Sequence, residues 1–280
     1  MTDASVPFSL GRLGLIAGNT FLEAVRQRLF VFLLLLAIGL VASAQFFREF
    51  NFGSSELKFI ADFGFGALVF FGSALTIATT AQLFFSEIEN RTALTLLAKP
   101  LWRAEFVFGK FLGVFAVIGV FCGLTVGLLA GLLWQRETQL MAIDPEAFSA
   151  GRVIVYRDLL WVGLLQWIKF GVLTAIVLLI ATYSNTNLFT VVTGFFVLVI
   201  CHLQHLATGA WRQVDSVVGS FAVWLLGVVF PNFQVFNVAD AVGQGTGLAG
   251  DLVLRVVAYG LFYIGVIGAL AVYSFRHREI

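Results

Sequence analysis

Six long apolar stretches, separated by shorter polar links, limit what this sequence can fold into. Because a helix needs about 20 apolar residues to cross a bilayer, each stretch is predicted to be a transmembrane helix. The chain is 60% hydrophobic and 12% charged, whereas a soluble domain has roughly 25% charged residues. We therefore predict a single-domain, all-α, polytopic membrane protein over residues 1–280. The six predicted spans cover about residues 29–46, 63–85, 106–134, 159–182, 188–206 and 252–274.

The segment before the first span, residues 1–28, has the pattern of an amphipathic helix. Apolar residues recur there at steps of three and four, which places them on one helix face. We predict a helix that lies in the membrane surface, with an ordinary helix packed on protein as the alternative. The apolar residues of this face are Leu10, Leu13, Ala17, Phe21 and Val25.

Two of the polar links are long enough to have their own organisation. Residues 135–158 carry charges of both signs and are predicted to form an external loop. Residues 207–251 contain an apolar run of 14 residues, 217–230, that ends at Pro231. A run of this length is short for a span and is more usual for a re-entrant segment. We predict that it dips into the outer face of the membrane before the last span.

The distribution of basic residues predicts the orientation of the chain. With six spans both termini share one side of the membrane, and that side would hold nine Lys and Arg residues against seven on the other. Basic residues favour the cytoplasmic side, so both termini are predicted to be cytoplasmic, in a bacterial inner membrane. The predicted layout places spans 1 to 3 in residues 29–134, spans 4 and 5 in residues 159–206, and span 6 with the tail in residues 252–280.

The third predicted span carries a regular series of glycines. Gly119, Gly123, Gly127 and Gly131 stand at strict four-residue steps. In a helix this spacing leaves a groove in which a neighbouring backbone can approach closely. The groove is predicted to serve packing within one subunit or, as the alternative, a contact between subunits.

A polar stretch with internal order separates the second and third predicted spans. Ser86 and Glu89 have the spacing of a capping box at a helix start. Pro100 favours a helix end just before it. We predict a short amphipathic helix over residues 86–99, outside the membrane.

The same stretch resembles the loop between the second and third spans of ABC-transporter permeases of the type-two exporter family. The shared order is Glu, Thr, Leu-Leu, Pro, Arg, Gly-Lys, found here as Glu87 or Glu89, Thr92, Leu96-Leu97, Pro100, Arg103 and Gly109-Lys110. This resemblance implies that residues 86–99 are a coupling helix that docks on a separate cytoplasmic ATPase. The residues implied to contact the ATPase are Glu87, Glu89, Arg91, Thr92, Leu94, Leu97, Pro100 and Arg103.

The resemblance also implies the partners and the chemistry of the whole assembly. ATP and Mg²⁺ would bind to the ATPase subunits, so this chain would carry no cofactor and would not be an enzyme. A second permease copy, identical or different, would complete the substrate path within membrane lipid. Members of this family move lipids, polysaccharides, peptides, antibiotics or, in the copper-maturation system for nitrous oxide reductase, a sulfur-containing species; the chain is similar to the permease of that last system.

Two sequence observations limit the other classes of function. The chain has no GxxxxGK[ST] phosphate loop, so it is not expected to hydrolyse ATP by that route alone. Its net charge of +1 argues against a nucleic-acid partner. The alternative function is an ion-coupled secondary transporter or a channel, which predicts inverted repeats and ionisable residues near the membrane midplane.

Lys169 is the candidate for a residue on the substrate path. It lies near the middle of the fourth predicted span, where a charged side chain costs about 2.5–3.5 kcal/mol on insertion scales. Such a residue faces a substrate cavity, pairs with an acid, for which Asp62 is the candidate, or extends its side chain toward the membrane surface. His202 and His205, three residues apart beside Cys201, are weak candidates for a metal site, because two imidazoles and one poorly oriented thiol do not complete one.

Overall fold

The protein is described here from a computed structural model, which is all-helical over the described residues. These are residues 9–46, 56–89, 102–146, 148–149, 151–211, 221, 224–225, 227, 229–239 and 247–276. The α-helices whose bounds lie within these ranges are α1 (Leu10–Arg26), α2 (Arg28–Ser43), α3 (Glu56–Glu89), α4 (Arg103–Ile143), α5 (Tyr156–Tyr183), α6 (Asn187–Trp211) and α7 (Gly250–Arg276). A short 3-10 helix, Phe233–Phe236, precedes α7.

The described helices confirm a polytopic membrane protein. Five of them, α3 to α7, are long and apolar enough to cross a bilayer, and the pair formed by α1 and α2 adds a sixth candidate span with a 62° bend. Gln27 forms the break between α1 and α2, with an extended backbone conformation. The all-α fold with up to six spans is therefore as predicted.

The predicted helix start at Ser86 is wrong. α3 runs without interruption from Glu56 to Glu89, so Ser86 lies inside a helix instead of capping one. Its hydroxyl donates hydrogen bonds to the Leu83 carbonyl, at 3.3 Å, and to the carboxylate of Glu23 in α1, at 3.3 Å. A serine within a helix commonly bonds back to its own backbone in this way. The rest of the predicted coupling helix, from residue 90, lies outside the described residues.

The predicted external loop over residues 135–158 is wrong in its first part, because α4 continues to Ile143. The charged residues that suggested a loop have partners there. Arg136 donates two hydrogen bonds to Glu56 at the start of α3, at 2.6 and 2.9 Å. Glu137 is fully buried and accepts hydrogen bonds from Arg152, Tyr156 and two backbone N–H groups. Charges that are paired in this way do not end a helix. Most of the predicted re-entrant run, 217–230, lies outside the described residues.

α5 is the central helix of the bundle. Of the 18 residues in its most apolar stretch, 78% are buried, whereas in the corresponding stretch of α6 only 22% are buried. It packs most extensively against α7 and also contacts α3, α4 and α6. α6 consequently presents an apolar outer surface, with Phe189, Phe196 and Leu203 all more than half exposed.

Only one glycine of the predicted four-residue series, Gly119, lies at a close contact between described helices. Of that series, Gly119 meets the Trp167 ring, 3.0 Å from where its Cβ would lie, while Gly123, Gly127 and Gly131 have open space beside them. α1 instead approaches α4 closely at Gly113. A Cβ there would lie 2.5 Å from Thr20 Cβ and 2.7 Å from the Ala17 carbonyl oxygen. α1 thus packs on protein through the face that carries these two residues.

Candidate functional site

Lys169 is placed at the centre of the bundle by the helix that carries it. It lies 13 residues after Tyr156 and 14 before Tyr183, the two ends of α5. Its side chain is 3% exposed. Because α5 is surrounded by other helices, Lys169 cannot reach the membrane surface from this position in the way that lysines near helix ends do.

Lys169 lines a cavity of about 650 Å³ between α3, α5 and α6, with the 3-10 helix at one side. We call this space the Lys169 cavity. Its walls are mainly apolar and include four phenylalanines. The volume lies within the range of pockets that hold small molecules, roughly 300–1,000 Å³. The aromatic residues of the wall are Phe65, Phe70, Phe195 and Phe233.

Two of the other polar side chains that line the Lys169 cavity each have a buried atom without a hydrogen-bond partner among the described residues. Ser73 is 3% exposed, and its hydroxyl is unpartnered. Gln166 is 1% exposed; its amide nitrogen donates to the Phe236 carbonyl at 3.1 Å, which leaves the amide oxygen unpartnered. Buried polar groups are normally satisfied, so these two atoms indicate room for a ligand or for water.

The predicted pairing of Lys169 with Asp62 is not formed. Among the described residues Lys169 has no salt bridge, and its ammonium lies 5.3 Å from the centre of the Phe170 ring. Phe170 packs against Gly72 of α3, so Lys169 is level with that part of the helix. Asp62 also lines the cavity, but it precedes Gly72 by ten residues, a rise of about 15 Å along α3.

The two histidines occupy different positions. His202 lines the Lys169 cavity and packs edge-on against the Phe233 ring at 5.5 Å. Its Nδ1 bonds to the Leu198 carbonyl, and the Nδ1 of His205 bonds to the His202 carbonyl, each at 3.0 Å. Each histidine therefore uses one ring nitrogen within its own helix. Among the described residues, no group of three potential metal ligands comes together around them.

A second polar group is found where α4 begins. The Glu105 carboxylate is fully buried and accepts hydrogen bonds from the Arg12 guanidinium at 2.8 and 3.1 Å and from the Ser9 N–H at 2.7 Å. It also accepts a longer bond, 3.3 Å, from the N–H of Trp102, the residue just before α4. We call Ser9, Arg12, Trp102 and Glu105 the Glu105 cluster. This cluster fixes the start of α1 to the start of α4.

Aromatic rings join further helix ends next to the Glu105 cluster. Phe84 near the end of α3, Phe106 in the first turn of α4 and Phe275 near the end of α7 pack with ring centres 5.4–6.3 Å apart. Arg103 donates hydrogen bonds to the carbonyls of Phe275 and Arg276, at 2.9 and 2.6 Å. It thereby satisfies carbonyls that the last turn of α7 leaves unpaired.

Of the predicted ATPase-contact residues, the structure shows the side chain of Arg103 alone. The backbone of Glu87 and Glu89 belongs to the last turn of α3. The remaining residues lie outside the described part of the chain; they are Arg91, Thr92, Leu94, Leu97 and Pro100. Sequence reasoning missed Ser73, Gln166 and Glu105. Only Glu105 had a local signal, because it stands three residues after the residue that precedes the helix, where a carboxylate can cap.

Comparison with known proteins identifies one family. A family model described as "ABC-2 family transporter protein" matches residues 15–254. This range includes most of α1, all of α2 to α6 and the first turn of α7. No curated protein matches the chain.

Proposed function

The chain belongs to the ABC-2 family of transporter proteins, and from this premise we propose that it is the permease subunit of an ATP-driven exporter. It forms the path for the substrate and receives conformational work from a separate ATPase. The family match over residues 15–254 is the observation that carries this proposal. In this arrangement both termini and residues 86–99 face the cytoplasm of a bacterium, and a second permease copy completes the path.

The helix ends that flank residues 90–101 support a role in transmitting movement. α3 leads into this segment, and α4 follows it. Ser86 of α3 bonds to Glu23 of α1, while Glu105 of α4 bonds to Arg12 of the same helix. Rigid helices that are joined in this way move as a unit and can be tilted against their neighbours.

The connection extends to the last helix of the chain. Arg103 at the first position of α4 binds the last carbonyls of α7, and α7 packs along the central helix α5. A displacement of the segment between α3 and α4 would therefore reach α1 and α7 directly. In the proposed transporter, ATP binding and hydrolysis on the partner subunits supply that displacement.

The test is co-purification of the chain with an ATPase that carries a Walker motif, followed by replacement of Glu87, Leu94 and Leu97 with alanine. We expect the triple variant to lose the association or to leave ATP hydrolysis unaffected by transport substrate. The matched control is Asp251→Asn with Arg255→Gln, which removes an exposed ion pair at the other end of α7 from Arg276. If the triple variant keeps both the association and the coupling, residues 86–99 do not couple the ATPase.

A further inference from the structure

Among the described residues that line the Lys169 cavity, Lys169 is the one Lys or Arg, and the one acid, Asp62, forms no salt bridge with it. Taking a charge out of water costs free energy that only a partner charge and hydrogen bonds offset. Lys169 is 3% exposed and has no salt bridge within the described part of the chain. An anionic group beside Lys169 would supply that partner charge, whereas Lys169 would repel a cationic group.

The hydrogen-bonding atoms beside Lys169 favour the same kind of ligand. The Ser73 hydroxyl has no partner among the described residues and is able to donate to an anionic oxygen. The Gln166 amide is oriented by its bond to the Phe236 carbonyl, since a carbonyl only accepts. Its oxygen is thereby left as an acceptor for a hydroxyl or N–H group of the ligand.

The rest of the Lys169 cavity is suited to an apolar body. Phe65, Phe233 and Leu198 line it together with the exposed residues Phe70 and Phe195. In the single chain Phe70 is 69% exposed and Phe195 is 40% exposed, so the cavity opens between α3 and α6. A molecule that partitions into the bilayer can enter through this side, past the rings of Phe70 and Phe195.

We propose that the Lys169 cavity recognises an amphipathic substrate through an anionic group held by Lys169 and Ser73, with its apolar part against the phenylalanine wall. This rests on the proposed function, because it assigns the substrate class to the path of that transporter. Lys169 is then a specificity-determining residue. Charge-assisted hydrogen bonds of this kind are stronger than neutral ones, and they are strongest where water is excluded.

Binding of dansyl-labelled undecanoic acid to the full chain, in nanodiscs of neutral phosphatidylcholine, tests this directly. The methyl ester and the corresponding amine have the same apolar body without the negative charge. We expect the acid to bind about ten- to a hundredfold more tightly than either. This comparison uses the unmodified protein, so it does not depend on the folding of any variant. Equal affinity for the three compounds would overturn the proposal.

Substitutions then test whether Lys169 is the residue that causes the preference for the acid. Lys169→Gln should reduce binding of the acid to the level of the ester, and Lys169→Arg should retain a preference for the acid. Lys58→Gln is the matched control, because it removes one positive charge from α3 at a residue that does not line the cavity. A Lys169→Gln protein that still prefers the acid tenfold would refute the role of this lysine.

Acetate serves as a competitor to separate an amphipath from a free anion. We expect acetate at the same concentration to leave binding of the labelled acid unchanged; competition at equal concentration would mean that the site takes small anions, contrary to the proposal. The assay contains neither ATP nor an ATPase. Failure here would therefore leave the proposed exporter standing, whereas failure of the coupling experiment would leave any measured acid preference intact.

Discussion

Lys169 and Glu105 are both buried charges, but their surroundings are opposite. The Glu105 carboxylate accepts four hydrogen bonds, two of them from the guanidinium of Arg12. Lys169 has no salt bridge within the described residues, and two neighbouring polar side chains have unpartnered atoms. The first arrangement holds helices together, whereas the second is open to a ligand. The comparison shows that burial of a charge does not by itself indicate what the charge is for.

The difference also separates stability from function. Sites that bind ligands are commonly less stable than they could be, because their groups are arranged for the ligand and not for the empty protein. Replacement of the two charges should therefore have opposite effects on the free energy of unfolding. Substitutions at Gly113, Lys169 and Glu105 test that contrast.

Gly113→Ala should destabilise the packing of α1 on α4, the helix pair that Glu105 and Arg12 also join, more than any other substitution proposed here. The new methyl group would meet Thr20 Cβ at 2.5 Å and a backbone oxygen of α1 at 2.7 Å, and a backbone oxygen cannot move aside without shifting the helix. We expect a loss of about 3 kcal/mol in the free energy of unfolding, the upper end for overpacking. Unfolding in mixtures of SDS and mild detergent, followed by tryptophan fluorescence, would measure it.

Gly123→Ala is the matched control, since it makes the same substitution in the same helix with no described atom within 4 Å. It should leave stability unchanged or raise it by about 0.5–1 kcal/mol, because alanine restricts the unfolded chain more than glycine does. If the two variants lose equal stability, the close approach of α1 to α4 at Gly113 does not contribute to folding.

Lys169→Met should stabilise the protein in the absence of ligand. It removes a charge whose placement at the centre of a span costs about 2.5–3.5 kcal/mol, and it keeps a side chain of similar length. The contact of the ammonium with the Phe170 ring offsets part of the gain. We expect an increase of about 2.5 kcal/mol in the same unfolding assay. A decrease would mean that Lys169 is already satisfied in the empty protein, and the contrast with Glu105 would then disappear.

Glu105→Gln should destabilise the protein by about 2 kcal/mol. Breaking a fully buried ion pair costs about 3–5 kcal/mol, but the side chain of Arg12 keeps 28% exposure and can be solvated. A double-mutant cycle with Arg12→Gln isolates the interaction between the two side chains. If the double variant is no more stable than the sum of the single losses predicts, the pair does not hold α1 on α4.

The spans could be predicted from sequence, but their ends could not. Each predicted span from the second to the sixth falls within one of the helices α3 to α7. The third span was predicted to end at Trp134, because charged residues follow it. α4 continues to Ile143 since Arg136 and Glu137 find partners in Glu56 and in residues 152–156. Glu56 is 80 residues away in the sequence, and residues 152–156 follow the end of α4. No local sequence pattern indicates that Arg136 and Glu137 would pair with them.

Local capping motifs were informative only where the rest of the fold agreed with them. Ser86 and Glu89 have the spacing of a capping box, yet α3 passes through both. Ser86 bonds to Glu23 of α1 instead. The carboxylate that does reach back to the residue before its helix is Glu105, and its other three bonds come from Ser9 and Arg12, at the start of α1. Tertiary contacts decided both cases.

Of Lys169, Ser73 and Gln166, only Lys169 could be predicted from the sequence. Lys169 stands out because it is a charge in an apolar span, and hydropathy alone identifies it. Ser73 and Gln166 are ordinary polar residues within helices, and they meet Lys169 only because α3 and α5 pack closely where Gly72 faces Phe170. The depth of that contact depends on the whole bundle. The residues predicted to contact an ATPase include five that lie outside the described part of the chain.

Arg103 has a practical consequence for how this protein can be observed. By binding the final carbonyls of α7, it brings the C-terminal end of the described chain to the start of α4, beside the first described residue, Ser9, at the Glu105 cluster. Fluorophores attached near Ser9 and near Arg276 would therefore lie close to each other, at the start of α4. In the proposed transporter, energy transfer between two such labels would report whether α1 and α7 separate when the partner subunits hydrolyse ATP.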